Sequence, residues 1–191
     1  MTLRYESSPQ SGALRQGELL EGVIEFKVKV SELSSPDDLF SDVYTPPSVR
    51  YNHPLVIILS PDCDLEWDYQ ARTDPNEPRH KILDHVLLCD LYSTSEIRDA
   101  KDIKSKDRDR IKSHQNIRYH RLDAEDLDRA LPNPSLPELY LDFKNPFALS
   151  VEYVMYLIDK DIAKRRGILP SDILHHMIQR YSSFNGRVSL P

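Results

Sequence analysis

The chain contains little cysteine and no apolar run long enough to form a membrane helix. Its two cysteines, Cys63 and Cys89, each end an apolar run and lack the CxxC spacing of a zinc knuckle. We therefore expect free thiols rather than a disulfide, because a reducing compartment keeps thiols reduced. No apolar stretch approaches the ~20 residues that span a bilayer, and Met1–Glu6 lacks the apolar core of a signal peptide. These absences predict a cytoplasmic protein that has no membrane partner.

A strong charge of either sign is also absent. The 191 residues are 39% hydrophobic and 29% charged, with a formal net charge of -6. This composition is polar for a globular protein but lies above the disorder regime, and the length suits one domain. A chain with a net negative charge does not offer a generally basic surface to a polyanion, although it can still carry a local basic cleft. We expect one folded domain over residues 1–191. The net charge by itself does not decide whether the protein binds RNA.

Apolar patterning predicts a mainly β fold. Residues 55–59 are five consecutive branched apolar residues, which is typical of a strand buried on both faces. Alternation from Val23 onward predicts a strand within residues 16–30. Further strands are predicted at residues 82–92, 115–122 and 139–143, the last with a continuation over 147–150. Residues 31–50 and 68–81 are predicted loops, residues 124–130 one or two helical turns, and residues 151–158 fit either a strand or a helix.

Two other segments carry charged or helical patterns. Residues 95–113 are almost all charged or small, and their only large apolar residues are Ile97, Ile103 and Ile111. We interpret them as a charged insertion, either a solvated helix or an irregular excursion. A C-terminal helix is predicted over residues 170–185, because Pro-Ser-Asp starts it and the apolar residues that follow share one face.

The buried strand runs directly into an acidic segment around one cysteine. Pro61 is followed by Asp62, Cys63 and Asp64, which we predict to form a turn. The two carboxylates could cap backbone amides in Asx turns, or bind a metal together with Asp90 as hard oxygen ligands. Cys63 is a candidate nucleophile, although the adjacent carboxylates oppose thiolate formation and a small core residue is the alternative. This segment is the first candidate site.

A second candidate site combines histidine and arginine residues. RNA cleavage without metal needs a base for the 2'-OH, an acid for the leaving oxygen and a cation for the phosphorane. His53, His120, Arg118 and Arg121 offer these groups, and Tyr119 between them offers a ring on which a base can stack. The alternative for residues 118–121 is an exposed strand with one polar side.

Three segments in order resemble the MazF/PemK growth-inhibitor family: Gln16–Leu20, His53–Pro61 and Val86–Asp90. In that family, strands of this pattern form an SH3-like barrel that cleaves single-stranded RNA without metal. The resemblance covers roughly residues 16–95 and implies that residues 16–94 supply the barrel strands. This chain has His53 where the family has arginine, and Ser93 and Thr94 follow the third strand where the family has threonine or serine.

A motif around the acidic segment resembles a second group. Ser60–Leu65, taken with Leu141–Phe143 and the terminal Arg187–Pro191, is similar to a group of bacterial proteins of unassigned function, which supplies no mechanism. Asp142 and Lys144 also resemble the Asp-x-Lys pattern of metal-dependent nucleases.

These patterns predict a mainly β, SH3/PemK-like barrel that carries a C-terminal α-helix and a charged helical insertion. The expected function is that of a toxin- or defence-associated domain that interacts with single-stranded RNA, with metal-independent endoribonuclease activity implied by the resemblance. The predicted catalytic residues are His53, Asp62, Cys63, Asp64, Arg118 and His120, and the predicted substrate-binding residues are Tyr119 and Arg121. No cofactor is expected, and an antitoxin-like protein or a second copy of the chain is an expected partner. The alternatives are a non-enzymatic protein-interaction module and a metal-dependent phosphodiesterase that uses Asp62 and Asp64.

Overall fold

Six antiparallel strands form one continuous sheet in the structure, a computed structural model that describes residues 12–32, 35, 48–101, 103–124, 127 and 138–187. The strand order is β4-β5-β3-β2-β1-β6. The strands are β1 Glu18–Val28, β2 Ser48–Ile58, β3 His85–Ser93, β4 Tyr119–Leu122, β5 Leu139–Ser150 and β6 Lys164–Ile168.

The sheet is open in the described part of the chain. β4 and β6 stand at opposite ends of the strand order, whereas a barrel requires its end strands to pair. Helices cover the two faces, so the sheet buries its apolar side chains without closing on itself. The prediction of a mainly β fold is confirmed, and the predicted barrel is not.

Five helices complete the described architecture. They are α1 Asp62–Thr73, α2 Thr94–Lys101, α3 Ser105–Lys112, α4 Val151–Asp159 and α5 Ser171–Asn185. The predicted C-terminal helix is confirmed as α5, and the ambiguous residues 151–158 belong to a helix. No helix in the described ranges is both long and apolar enough to cross a bilayer.

The predicted turn at Asp62–Asp64 is wrong, because these residues form the first turn of α1. Acidic side chains are favoured there by the positive end of the helix dipole. The helix continues to Thr73, so the predicted loop over residues 68–81 is also wrong in its first part. Leu65, Asp68 and Ala71 form the buried side of α1. Because Asp68 is polar although it is buried, the hydropathy pattern of this segment does not show the helical period.

Each face of the sheet contacts its own hydrophobic core. Leu19 and Ile57 belong to a first core that α5 completes, whereas their neighbours Leu20 and Val56 belong to a second core that α1 and α4 complete. This alternation follows from the two-residue period of a strand. The buried continuous run in β2 therefore has the double-sided burial that its sequence predicts.

The charged insertion folds as α2 and α3 and is anchored by its three isoleucines. Ile97, Ile103 and Ile111 are buried in a third core, together with Tyr119 and Tyr140. Long charged side chains face outward around this anchor. Other predictions fall largely outside the described residues, namely the loop over residues 36–47 and most of the helical turn over residues 124–130.

Candidate functional site

The acidic segment of α1 braces the chain before β1. Asp62 accepts hydrogen bonds from Nε and Nη2 of Arg15, at 3.1 and 3.2 Å, and from the backbone amide of Gln16 at 2.7 Å. Cys63 is exposed, and its Sγ lies 3.5 Å from Oδ1 of Asp64. Within the described residues, no group of three or more His, Cys, Asp or Glu side chains is placed to hold a metal ion. Asp62 thus links the segment before β1 to the start of α1.

His53 lies between two carboxylates in the middle of the sheet. Its Nδ1 is 2.7 Å from Oδ1 of Asp90, and its Nε2 is 3.1 Å from Oε2 of Glu25. The imidazole is almost fully buried and stacks on Phe147, with ring centroids 4.2 Å apart. Lys27 pairs with the same Glu25 oxygen at 3.0 Å. The group combines an imidazole and two carboxylates, which is a proton-exchanging set.

The surroundings of His53 favour its charged form. Burial alone would lower the pKa of His53, but the hydrogen bonds and negative charges of Asp90 and Glu25 outweigh it and raise the pKa above its ordinary value. The phenol of Tyr92 donates to Oδ2 of Asp90 at 3.3 Å, and burial together with the Asp90 charge raises the pKa of Tyr92. His53 thus acts as the cation that pairs with this buried acidic group.

Arg118 forms a two-pronged ion pair with a carboxylate that is completely buried. Its Nε and Nη2 each lie 2.6 Å from an oxygen of Asp142, which has 0% exposed surface. The side-chain amide of Asn145 and the backbone amide of Lys144 also donate to Asp142. The bidentate geometry fixes the guanidinium at the mouth of a surface pocket.

The two predicted substrate-binding residues face the charged insertion. Tyr119 is buried in the third core, and the Arg118 guanidinium lies 4.8 Å from the centre of its ring. Arg121 donates to Glu138 at 2.8 Å, and Glu138 also accepts hydrogen bonds from Tyr140 and Thr94. In this structure both side chains hold the insertion against the sheet.

His120 is buried in a cluster of three imidazoles. The ring of His120 lies 5.2 Å from that of His114 and 5.3 Å from that of His176, and these two are 5.0 Å apart. Burial and the nearby His114 and Arg180 lower the pKa of His120 to about 2. Burial and Arg180 also lower the pKa of His114. His114 and His120 are therefore neutral at ordinary pH.

A cationic pocket opens where the start of β4, the turn within β5 and the end of α5 meet. Its volume is about 420 Å³, which lies within the range of ligand sites. Lys144 and Arg187 are exposed at its rim, and Arg118 adds a third cation. The guanidinium of Arg187 lies over the ring of Phe184, 3.5 Å from its centre. The remaining lining residues are Phe143, Pro146 and Asn185.

The structure does not gather the predicted site residues in one place. Arg118 lines the cationic pocket, whereas His53, the Asp62–Asp64 segment, Tyr119, His120 and Arg121 are not among its lining residues. The sequence singled out Lys144 only for an Asp-x-Lys pattern and gave no signal for Phe184. An Arg two or three residues after the last apolar position of a helix is the signal that would have found Arg187.

Comparison with known proteins gives no relative from which a role for these residues could be carried over. No family model, no curated protein and no solved structure matches the chain.

Proposed function

We propose that this protein binds single-stranded RNA in the cationic pocket formed by Arg118, Lys144 and Arg187 around Phe143 and Phe184. The observation that carries the proposal is that one concave site contains both exposed cations and a guanidinium stacked on an aromatic ring. Proteins recognise single strands by combining backbone charge contacts with planar groups on which bases stack.

The charges of the pocket favour a phosphate backbone. The Arg118 charge is balanced by buried Asp142, whereas the ion pairs found among the described residues include neither Lys144 nor Arg187. The pocket therefore carries an excess of positive charge on a chain whose formal net charge is -6. Because the chain as a whole is net negative, phosphate contacts would favour such a locally cationic site.

The stacked pair of Arg187 and Phe184 supplies the planar surface. Nε of Arg187 donates to the backbone carbonyl of Phe184 at 2.5 Å, which holds the guanidinium over the ring. The outer face of such a guanidinium accepts an unpaired base by stacking. Base-paired RNA keeps its bases inside the helix, so this geometry favours a single strand.

We extend the proposal to a role in a toxin or defence system with an antitoxin-like partner. The support for this extension is the resemblance of Gln16–Leu20, His53–Pro61 and Val86–Asp90 to the MazF/PemK family. The fold of that family is a closed barrel, whereas the sheet of this protein is open. Cleavage of the RNA would need an acid and a base near the bound strand. His53 has a carboxylate at each nitrogen, but it is buried and does not line the cationic pocket, so the proposal is restricted to RNA binding.

The test is the affinity of a short fluorescent single-stranded RNA, measured by anisotropy at pH 7.5. Lys144→Ala and Arg187→Ala should each weaken binding roughly fivefold, because each removes a phosphate or base contact. Lys164→Ala is the matched control, because Lys164 is an exposed cation on β6. Equal affinity of all three variants and the wild type would contradict the site, and a denaturing gel of the same RNA reports cleavage.

A protein-interaction module is the second candidate, and an apolar cleft between α1 and α4 favours it. The cleft has a volume of about 310 Å³, and Leu65, Tyr69 and Met155 are among its lining residues. Trp67, on the same helix, is 50% exposed. Exposed tryptophan is enriched among residues that dominate protein interfaces. A chain that binds no RNA in the test above would be assigned to this class.

A further inference from the structure

Three elements of the fold meet at the cluster of His114, His120 and His176. His114 follows α3 and has a left-handed backbone with φ of 55°, His120 lies in β4, and His176 lies on α5. Left-handed backbone is uncommon for a residue other than glycine and persists where the surroundings hold it. The cluster is therefore a built contact between α5 and the edge of the sheet.

The surroundings of His114 and His120 disfavour an added positive charge. In the part of the chain that the structure describes, Nδ1 of His114 and Nδ1 of His120 are buried without a hydrogen-bond partner. Arg180 of α5 and Arg121 of β4 face the cluster and oppose its protonation, whereas Asp123, just after β4, favours a charge on His114. Two arginines and two neighbouring imidazoles outweigh one carboxylate in this setting.

The same contact positions the wall of the cationic pocket. Arg180 donates to the backbone carbonyls of His114, Asn116 and Tyr119 at 2.6 to 3.0 Å, which fastens α5 to the segment that leads into β4. His120 also stacks near Phe143, with ring centroids 6.0 Å apart. Phe143 lines the pocket, and so does Phe184, which follows Arg180 on α5.

We propose that His114 and His120 act as a pH latch: acid releases the end of α5 from β4 and dismantles the cationic pocket. The consequence for RNA rests on the proposed function, whereas the release of α5 does not. Each of these two histidines is neutral in the closed state and free to titrate in the open state, so it raises the opening constant up to tenfold per pH unit below about 6.5. Opening therefore becomes steep in mild acid.

Hydrogen exchange of the α5 amides, corrected for intrinsic rates, tests the release directly. Between pH 7.5 and 5.5 we expect wild-type protection over residues 171–185 to fall at least tenfold. His120→Phe keeps the ring stack and removes the charge, so its protection should fall clearly less. His114→Asn, which also tolerates left-handed backbone, provides a second variant should the first be poorly folded. His175→Ala is the matched control, because His175 is an exposed neighbour on α5, and it should behave as the wild type.

The outcomes separate the latch from RNA binding. The latch is overturned if the protection of wild-type α5 does not change with pH. It is also overturned if protection falls as much in His120→Phe and in His114→Asn as in the wild type. A fall in α5 protection without any RNA binding at pH 7.5 supports the latch and contradicts the proposed function. RNA affinity that stays constant or rises between pH 7.5 and 5.5 in a chain that binds at pH 7.5 overturns the dismantling of the pocket.

Discussion

His53 and His120 are buried against different hydrophobic cores, and their surroundings shift their pKa values in opposite directions. His53 stacks on Phe147 beside the second core and has a carboxylate at each ring nitrogen. His120 stacks near Phe143 in the first core, and its Nδ1 has no hydrogen-bond partner among the described residues. Burial lowers the pKa of both imidazoles, and carboxylates reverse that effect only at His53.

His53 makes the fold lose stability in alkali. Because its pKa is raised in the folded state, its stabilisation is fully present below the unfolded pKa of about 6.5 and is lost as the pH rises through the folded pKa. His53→Leu removes the imidazole cation from Asp90 and leaves Glu25 paired with the exposed Lys27, so it should lower the free energy of unfolding at pH 6 by on the order of 3 kcal/mol.

Urea unfolding at pH 6 and pH 9 measures this effect. The difference between the wild type and His53→Leu should be smaller at pH 9 than at pH 6, because the charge contribution of His53 is lost as the pH rises through its raised pKa. His85→Gln is the matched control on β3, because His85 is exposed, and it should change stability by no more than about 0.5 kcal/mol. An equal difference at both pH values would show that His53 contributes by packing rather than by charge.

At the scale of elements, the charged insertion is a packed part of the fold. Ile111 is 1% exposed and lies in the third core with Tyr119 and Tyr140. Ile111→Ala should lower the free energy of unfolding by about 2 to 4 kcal/mol, because it leaves a cavity under α3. Lys106→Ala on the exposed side of α3 should have an effect within about 0.5 kcal/mol. A negligible effect of Ile111→Ala in thermal or urea unfolding would restore the interpretation of a solvated excursion.

The strands that could be predicted from the sequence are those with apolar buried faces. The alternation of β1, the continuous run of β2 and the pattern of β5 gave the correct elements, although β5 is longer than its first predicted segment. β6 escaped prediction because Arg165 fills its buried position and pairs with Glu18, which has 0% exposed surface, at 2.5 and 2.8 Å. A buried ion pair has the hydropathy of a solvated surface.

The candidate site was less predictable than the fold for a different reason. Arg118 was singled out from the sequence, but its neighbours Lys144 and Arg187 come from β5 and the end of α5. Their proximity depends on how α5 crosses the sheet, which no local pattern encodes. The histidine cluster depends on the same crossing, so the sequence could single out His120 but could not place His114 and His176 beside it.

At the scale of the whole molecule, the proposed function together with the formal net charge of -6 predicts that RNA binds only at the cationic pocket. Two cations without an ion-pair partner among the described residues predict about two phosphate contacts. The logarithm of the binding constant should then fall with the logarithm of salt concentration with a slope of about -1.4, since each contact to a single strand contributes about 0.7.

Anisotropy titrations measure this slope at salt concentrations between about 50 and 300 mM, the range in which screening becomes strong. Lys144→Ala should reduce its magnitude by about 0.7, and Lys164→Ala should leave it unchanged. A slope several times steeper would mean that the strand follows a longer basic track than this pocket offers.

The outer border of β5 has a consequence for how molecules of this protein meet one another. β4 covers only Leu139–Asp142 of β5 in the described residues, so the border beyond them lies open to a foreign strand. Lys144 places a charge there and Pro146 lacks an amide proton, and both features discourage a foreign strand from docking and seeding fibrils. Lys144→Ala thus removes a charge that opposes aggregation as well as a proposed phosphate contact. The solubility of this variant should therefore be measured together with its RNA affinity.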